Sequence, residues 1–241
     1  MTILSNTDIA AILWFALSWI GFVFLVDRSR WAKYSLTSQM NAHRHHWMMV
    51  MAEREVRIMD AGILSGLQNG TAFFASASLL AMGGCFALLD GTDLVLRIIA
   101  DLKLGMVVTR TEWEVKVIGL IAICAYALFK FGWSYRLFNY CSILVGAVPE
   151  RDDPKSDSET RKNAAERAAR LNVIAGHHFN LGLRAFFFSV AYIGWFGGPY
   201  LFVGSTTLVT LTLVRRQFFS RSLKTVSVLP SSSSTHSSGT V

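Results

Sequence analysis

One long apolar segment constrains the fold of this chain more than any other feature. It runs from Glu114 to Pro149, is mostly apolar and carries Lys130, Arg136 and Asn139 inside it. An ionisable side chain within a membrane-spanning helix is costly, so it needs a partner, a wet cavity or a nearby interface. The groups that neutralise Lys130 and Arg136 are therefore expected to define the functional core.

The composition places the chain among membrane proteins. Of 241 residues, 52% are hydrophobic and 16% are charged, with a mean hydropathy of +0.40. Soluble domains carry about 25% charged residues. The net charge of +7 is first a signal of membrane topology. We expect no binding to nucleic acid, because we find no basic run interleaved with aromatic residues.

Four apolar segments predict an all-α, integral membrane helical bundle within residues 1–224. The first segment ends at Asp27-Arg28 and follows no basic n-region, so it is read as a retained helix and not as a signal peptide. The Ser/Thr-rich stretch 225–241 is predicted to be a disordered tail. The predicted spans are 9–26, 71–89, 115–137 and 185–213.

The last span contains Gly197-Gly198-Pro199, where proline removes a backbone donor. We favour one kinked, tilted span over 185–213. A re-entrant hairpin of two short halves is the alternative, since neither half has the roughly 20 residues needed to cross a bilayer.

Two basic regions have a helical pattern. Residues 27–69 predict one or two amphipathic helices, and Ala164–Leu183 predicts another with a polar face. Residues 90–113 predict a short interfacial helix. In the second span, Ala77, Ala81 and Cys85 recur every four residues, which indicates a helix-packing seam and a route to a homo-oligomer.

Lys and Arg counts predict the orientation. Residues 27–69 contain six, 149–184 contain seven, 90–114 contain three and the segment after residue 213 contains four. With four spans, thirteen of these Lys and Arg residues lie inside and seven lie outside. With a hairpin ending, seventeen lie inside and three lie outside. Both arrangements place the two basic regions on the cytoplasmic side of an inner (plasma) membrane, against anionic headgroups.

The sequence offers one candidate polar site at the inner rim of the bundle. Asp60 is expected to pair with Arg57, Lys130, Arg136 or Arg184, either as a structural salt bridge or in transport. Lys130 is expected to extend to the headgroups. The candidate residues are Asp60, Lys130, Arg136, Asn139, His178, Asn180 and Arg184.

The histidines permit a metal-site hypothesis, although we favour none. His43 and His46 share a helix face, and His177 or His178 could supply a third ligand. Adjacent arginines disfavour a cation there, and an interfacial basic helix is the preferred interpretation. No phosphate-binding loop, serine elbow or zinc-protease pair occurs, so we expect neither an enzyme nor a cofactor.

Several blocks resemble domain-of-unknown-function family 599, an uncharacterised family of multi-pass membrane proteins. They read EREVRIMD (Glu53–Asp60), GTAFFAS (Gly70–Ser76), FKFGWSYRLFNYCSILVGAVP (Phe129–Pro149), HFNLGLRAFFF (His178–Phe188) and WFGGP (Trp195–Pro199). The resemblance covers roughly residues 8–213. It implies about four membrane helices and supplies no catalytic residue.

The functional expectation is a non-enzymatic scaffold or a lipid-associated membrane protein. The alternative is a small transporter or channel component whose pathway is lined by Asp60, Lys130, Arg136, Asn139 and Arg184. Protein partners are not predicted.

Overall fold

The computed structural model describes residues 4–101, 109–154 and 156–227, and all regular elements in these ranges are helical. The prediction of an all-α bundle is therefore confirmed. Two short 3-10 helices, Ala32–Tyr34 and Gly194–Gly197, accompany the α-helices. These are α1 Asn6–Asp27, α2 Leu36–Ala52, α3 Ile58–Asp90, α4 Thr92–Asp101, α5 Arg110–Gly146, α6 Ser158–Ile193, α7 Pro199–Phe218 and α8 Arg221–Val226.

Side-chain caps define where several helices begin. At α1, the Asp8 N–H donates to Ser5 Oγ over 3.1 Å, and the Ser5 N–H donates to the Asp8 carboxylate over 3.2 Å. Thr109 caps α5, and Asp157 caps α6. Each cap satisfies backbone N–H groups that have no partner within the helix.

The antiparallel pair α5 and α6 forms the centre of the bundle. Ser134 Oγ donates to the Ala175 carbonyl over 2.8 Å. Gly182 lies against the Phe131 ring so closely that a Cβ there would stand 2.6 Å from a ring carbon. Because small residues on one helix face large ones on the other, the two helices stay in contact along nearly their whole length.

Helix α3 runs antiparallel to α5. The Gln68 side-chain amide donates to Asn139 Oδ1 over 2.9 Å, and Phe74 stacks on Phe131 with centroids 5.5 Å apart. Further along, the Trp113 indole N–H donates to the Leu88 carbonyl over 3.4 Å. The residue numbers of successive contacts rise along α3 and fall along α5, as expected for antiparallel helices.

The contact face of α3 differs from the predicted seam. Thr71, Ser78 and Cys85 are buried at seven-residue steps, whereas Ala81 is exposed. A four-residue step advances about 40° beyond a full turn, while a seven-residue step drifts only about 20° over two turns. A stripe with four-residue spacing therefore winds away from α5, and only Cys85 belongs to both sets.

The segment 185–213 is not one kinked helix. Helix α6 ends at Ile193, Gly198 adopts φ +110, and α7 begins at Pro199 and runs back along α6. Ser205 Oγ donates to the Ala191 carbonyl over 2.7 Å. The chain reverses here because glycine tolerates the left-handed conformation and proline at the first helical position lacks an N–H to donate.

Helix α1 lies parallel to α7. The Trp14 indole donates to Thr207 Oγ1 over 3.1 Å. At the start of α1, the Trp195 indole donates to Asp8 over 2.8 Å. At its end, Asp27 meets Arg184 of α6. From Asp8 to Asp27 the helix rises about 28 Å, close to the hydrocarbon thickness of a bilayer.

The helices α3, α5 and α6 continue past the end of α1. We call this part, together with α2, the extension; it comprises residues 58–70, 134–146 and 158–176 of the three helices. Its core contains Met48 and Met51 of α2 against Ala165 and Ala168 of α6. The third span was predicted to protrude from the membrane or to bend; α5 continues as one helix of 37 residues to Gly146.

In the described residues, four helices are long and apolar enough to cross a membrane. Helix α7 has 20 residues and falls outside this set. The short helix predicted in 90–113 is α4. The tail prediction falls mostly on residues 228–241, outside the described ranges, although Thr225 and Val226 belong to α8. The four helices are Asn6–Asp27, Ile58–Asp90, Arg110–Gly146 and Ser158–Gly197.

The close approach of α5 and α6 at Gly182 can be tested by adding one methyl group. Gly182→Ala should lower the free energy of unfolding by about 1–3 kcal/mol, because the Phe131 ring must move. Gly132→Ala is the matched control, since a Cβ there would meet nothing within 4 Å. Thermal unfolding in detergent would measure both. Equal stability of the two variants would contradict this packing.

Candidate functional site

A buried ion pair marks the end of α1. The two terminal nitrogens of Arg184 donate to the two carboxylate oxygens of Asp27 over 2.6 and 2.9 Å. Arg184 is only 4% exposed, and its guanidinium lies 5.5 Å from the centroid of the Phe22 ring. This two-point geometry is the strongest form of an arginine–carboxylate contact. It anchors α1 to α6 at the level where the extension begins.

Beside this pair lies a cavity of about 270 Å³ between α1, α2, α6 and α7. We call it the arginine cavity, because Arg44, Arg184 and Arg216 all line it. Its remaining polar wall consists of amides and a hydroxyl. The other half of its wall is apolar and includes Phe22 and Leu213. The arrangement suits an anionic ligand that also has an apolar part.

Arg44 enters the arginine cavity from α2. One guanidinium nitrogen donates to Asn172 Oδ1 over 2.7 Å, and the guanidinium lies 5.9 Å from the Phe138 ring centroid. Within the described ranges, no carboxylate pairs with it. Burial of the guanidinium lowers the pKa of Arg44 from its ordinary value, yet the group stays charged near neutrality. Arg44 therefore brings a partly buried positive charge that no described carboxylate neutralises.

Arg216 reaches the arginine cavity from the end of α7. Its guanidinium lies 5.6 Å from the Phe187 ring centroid, and the side chain is exposed. Next to it, Gln217 accepts hydrogen bonds from the N–H and hydroxyl of Thr37, over 3.3 and 3.2 Å. These bonds tie α7 to the start of α2, so α7 and α2 close the cavity together.

The seven residues predicted to form one site lie in separate places. Arg184 and Asn180 share the arginine cavity. Asn139 accepts from Gln68 between α5 and α3. Arg136 is exposed and donates to the Tyr140 hydroxyl over 2.6 Å.

Asp60 has a different partner from those predicted. It is fully buried and accepts from Arg54 over 2.6 Å and from the Trp47 indole over 2.7 Å. Arg57 instead donates to the Val148 and Pro149 carbonyls. The reason is local: the chain between α2 and α3 turns back within five residues, which brings Arg54 to the first turn of α3. Asp60 thereby holds the extension together, away from the arginine cavity.

Lys130 and His178 lie on another side of the bundle. The Lys130 ammonium is 5.2 Å from the centroid of the Tyr126 ring, and the side chain is half-buried. His178 meets the Trp133 ring edge-on at 6.5 Å, and its Nδ1 is buried without a described hydrogen-bond partner. Neither residue lines the arginine cavity.

The histidines of α2 make other contacts than the metal hypothesis requires. His43 Nε2 lies 2.9 Å from the Val226 carbonyl of α8, and His45 Nε2 lies 2.5 Å from the Glu166 carboxylate. Across the described part of the chain, no three His, Cys, Asp or Glu side chains come together in a group that could hold a metal ion.

Sequence reasoning missed four of the residues that define polar sites here. Asp27 is the first charge after an apolar segment, Arg216 directly follows Arg215 in the last turn of α7, and Arg44 lies within the histidine cluster. Lys116, 2% exposed, was overlooked inside the third span. It donates to Glu112 over 2.6 Å and lies near Trp195, at the Asp8 end of the bundle. An ionisable residue at the end of an apolar helix could have identified Asp27 and Arg216, and an ionisable residue within an apolar segment could have identified Lys116. Nothing in the local sequence marks Arg44.

Residues 10–222 match the family described as "Protein of unknown function, DUF599". The chain belongs to this family. The match covers α1 to the start of α8 and therefore includes every residue of the arginine cavity. No curated protein and no solved structure matches the chain.

The Asp27–Arg184 pair of this DUF599 protein can be tested by a double-mutant cycle. Asp27→Asn or Arg184→Gln alone should cost about 3–5 kcal/mol of unfolding free energy, because each leaves one buried charge unpaired. The double variant should cost clearly less than the sum of the two. Unfolding of all four proteins in the same detergent gives the coupling energy. Strict additivity would show that the two groups do not interact.

Proposed function

We propose that this protein is a non-enzymatic, lipid-associated scaffold of the inner (plasma) membrane, with its extension on the anionic cytoplasmic side. The observation that carries the proposal is a group of aromatic and basic residues around the end of α1. We call this group the collar and define it as Trp31, Tyr34, Phe219, Arg221 and Lys224.

The collar has the composition of a membrane–water interface. Trp31, Tyr34 and Phe219 are 59%, 55% and 75% exposed. They border an apolar hollow of about 410 Å³ between α1, α7 and α8. Aromatic residues concentrate at the headgroup level of membranes, and nearby Lys and Arg are attracted to anionic lipid. The collar therefore supports a boundary at the end of α1.

The antiparallel α6 and α7 support an odd number of crossings. If α7 crosses beside α1, the N-terminus lies outside and the segment after α7 lies inside. This topology differs from the predicted re-entrant hairpin, because α6 and α7 would each cross, but it gives the same distribution of seventeen Lys and Arg inside and three outside. The distribution agrees with the positive-inside rule more strongly than thirteen against seven.

The remaining parts of the proposal have unequal support. The non-enzymatic assignment rests on the sequence alone. A homo-oligomer through the face of Ala77, Ala81 and Cys85 rests on the sequence pattern; Ala81 is exposed on α3, whereas Cys85 is buried in the chain's own core. A transport pathway lined by the predicted polar residues gains none, because Asp60, Lys130 and Arg184 lie in separate places.

Cysteine labelling of sealed vesicles of known orientation tests the topology. Asn6→Cys should react with an impermeant maleimide from outside, whereas Glu159→Cys and Ser222→Cys should react only after permeabilisation. The unaltered chain is the background control, since its three cysteines are buried. Reaction of both Ser222→Cys and Asn6→Cys from outside would show that α7 does not cross. Reaction of Glu159→Cys from outside would show that the orientation is the opposite of the proposed one.

Charge removal at the collar tests the association with anionic lipid. In nanodiscs, the unaltered chain should be more stable with anionic than with zwitterionic lipid, by about 1 kcal/mol for each collar charge. Arg221→Gln/Lys224→Gln should lose this gain. Lys162→Gln/Arg167→Gln removes the same charge types from exposed positions in the extension and should keep it. Equal losses in both variants would contradict a role of the collar, and the absence of any gain would contradict the proposal.

A further inference from the structure

We propose that the arginine cavity binds one amphiphile that carries a phosphate group, with the phosphate between Arg44, Arg184 and Arg216. The proposal deepens the lipid association proposed above and rests on it for the location of the ligand at a membrane boundary. It assigns a stoichiometric site, whereas the collar provides only a general attraction to an anionic surface.

The charge balance of the arginine cavity favours an anion. Three guanidinium groups line it, and Asp27 neutralises only that of Arg184. Within the described chain, neither Arg44 nor Arg216 forms a salt bridge. Guanidinium groups bind phosphate through paired hydrogen bonds. A phosphate ester would supply the missing negative charge.

Arg44 is held in position before a ligand arrives. Asn172, which is fully buried, accepts from one of its terminal nitrogens over 2.7 Å. One turn further along α6 lies Gly176, where an added Cβ would stand 3.0 Å from the guanidinium carbon. The absence of a side chain at residue 176 makes room for the guanidinium. A group fixed in this way loses little conformational entropy on binding.

The apolar half of the cavity favours an amphiphile over a free phosphate ion. Phe22, Phe187 and Leu213 line it beside the arginines. Phe22 also borders an apolar groove of about 410 Å³ between α1 and α7, which includes Trp14. A headgroup in the cavity would therefore have an apolar surface next to it on the membrane side, where acyl chains can lie.

Binding to the purified full chain in a neutral maltoside detergent tests the proposal. The probes are dioctanoyl phosphatidic acid, dioctanoyl phosphatidylcholine and inorganic phosphate, and native mass spectrometry counts the bound molecules. We expect one phosphatidic acid per chain with saturable binding, and at least about tenfold weaker binding of the other two probes. Phosphatidylcholine carries a phosphate whose charge its choline group cancels, so equally tight binding of phosphatidylcholine would overturn the assignment of a net-anionic headgroup. Inorganic phosphate binding as tightly as phosphatidic acid would overturn the amphiphile assignment.

Matched variants test which arginines hold the ligand. Arg216→Gln and Arg44→Gln should each weaken binding of phosphatidic acid about tenfold or more, as expected for the loss of a charge-assisted hydrogen bond. Arg215→Gln is the control, because it removes the same charge from the neighbouring residue, which does not line the cavity. Equal weakening by Arg215→Gln and Arg216→Gln would overturn the proposal.

Gly176→Ala separates a binding role of Arg44 from a role in folding. It keeps every charge but pushes the guanidinium by a few tenths of an ångström, so it should weaken binding severalfold without lowering the unfolding temperature appreciably. Unchanged affinity would overturn the placement of the phosphate at Arg44. These binding data are independent of the bilayer tests. Saturable binding that depends on Arg216 would uphold the site even if the collar or topology experiments failed.

Discussion

Close packing between α5 and α6 is the constraint on which the rest of this structure depends. Apolar side chains gain nothing from leaving lipid for another helix, so association depends on tight van der Waals contact and on a few interhelical hydrogen bonds. Gly182 against Phe131 and the bond from Ser134 to Ala175 provide both. This contact continues past the end of α1, so the same two helices carry the extension and the part of the bundle alongside α1.

The two parts of the protein place their charged side chains differently. Alongside α1, Asp8 accepts from Trp195 at one end of the helix, and Asp27 pairs with Arg184 at the other. In the extension, polar pairs run between the helices, and Asp60 is buried with its own cation. The arginine cavity lies where these two parts meet, so polar and apolar side chains line it together.

The fold class and the long helices could be predicted because they depend on local hydropathy and length. The reversal before α7 could not, because Gly197-Gly198-Pro199 permits a kink as readily as a turn, and only the packing of Ser205 against Ala191 decides. The face by which α3 packs on α5 differs from the predicted seam for a geometric reason, since a four-residue repeat winds away from α5. The members of the predicted polar site were grouped by sequence position, which does not specify the side of a helix, and the structure places them apart.

The sequence by itself determined that this chain is an apolar helical bundle with a basic end, and that it belongs with the DUF599 proteins. Those properties follow from the composition and the hydrophobic periodicity of each segment, which can be seen without knowing how the segments pack. Only the tertiary structure decided which charges are paired and which are free. Arg184 meets Asp27 across 157 positions of chain, and Arg44 meets Asn172 across 128. Contacts between residues so far apart in the chain depend on the register in which the helices pack, and this register is set by interactions between different segments.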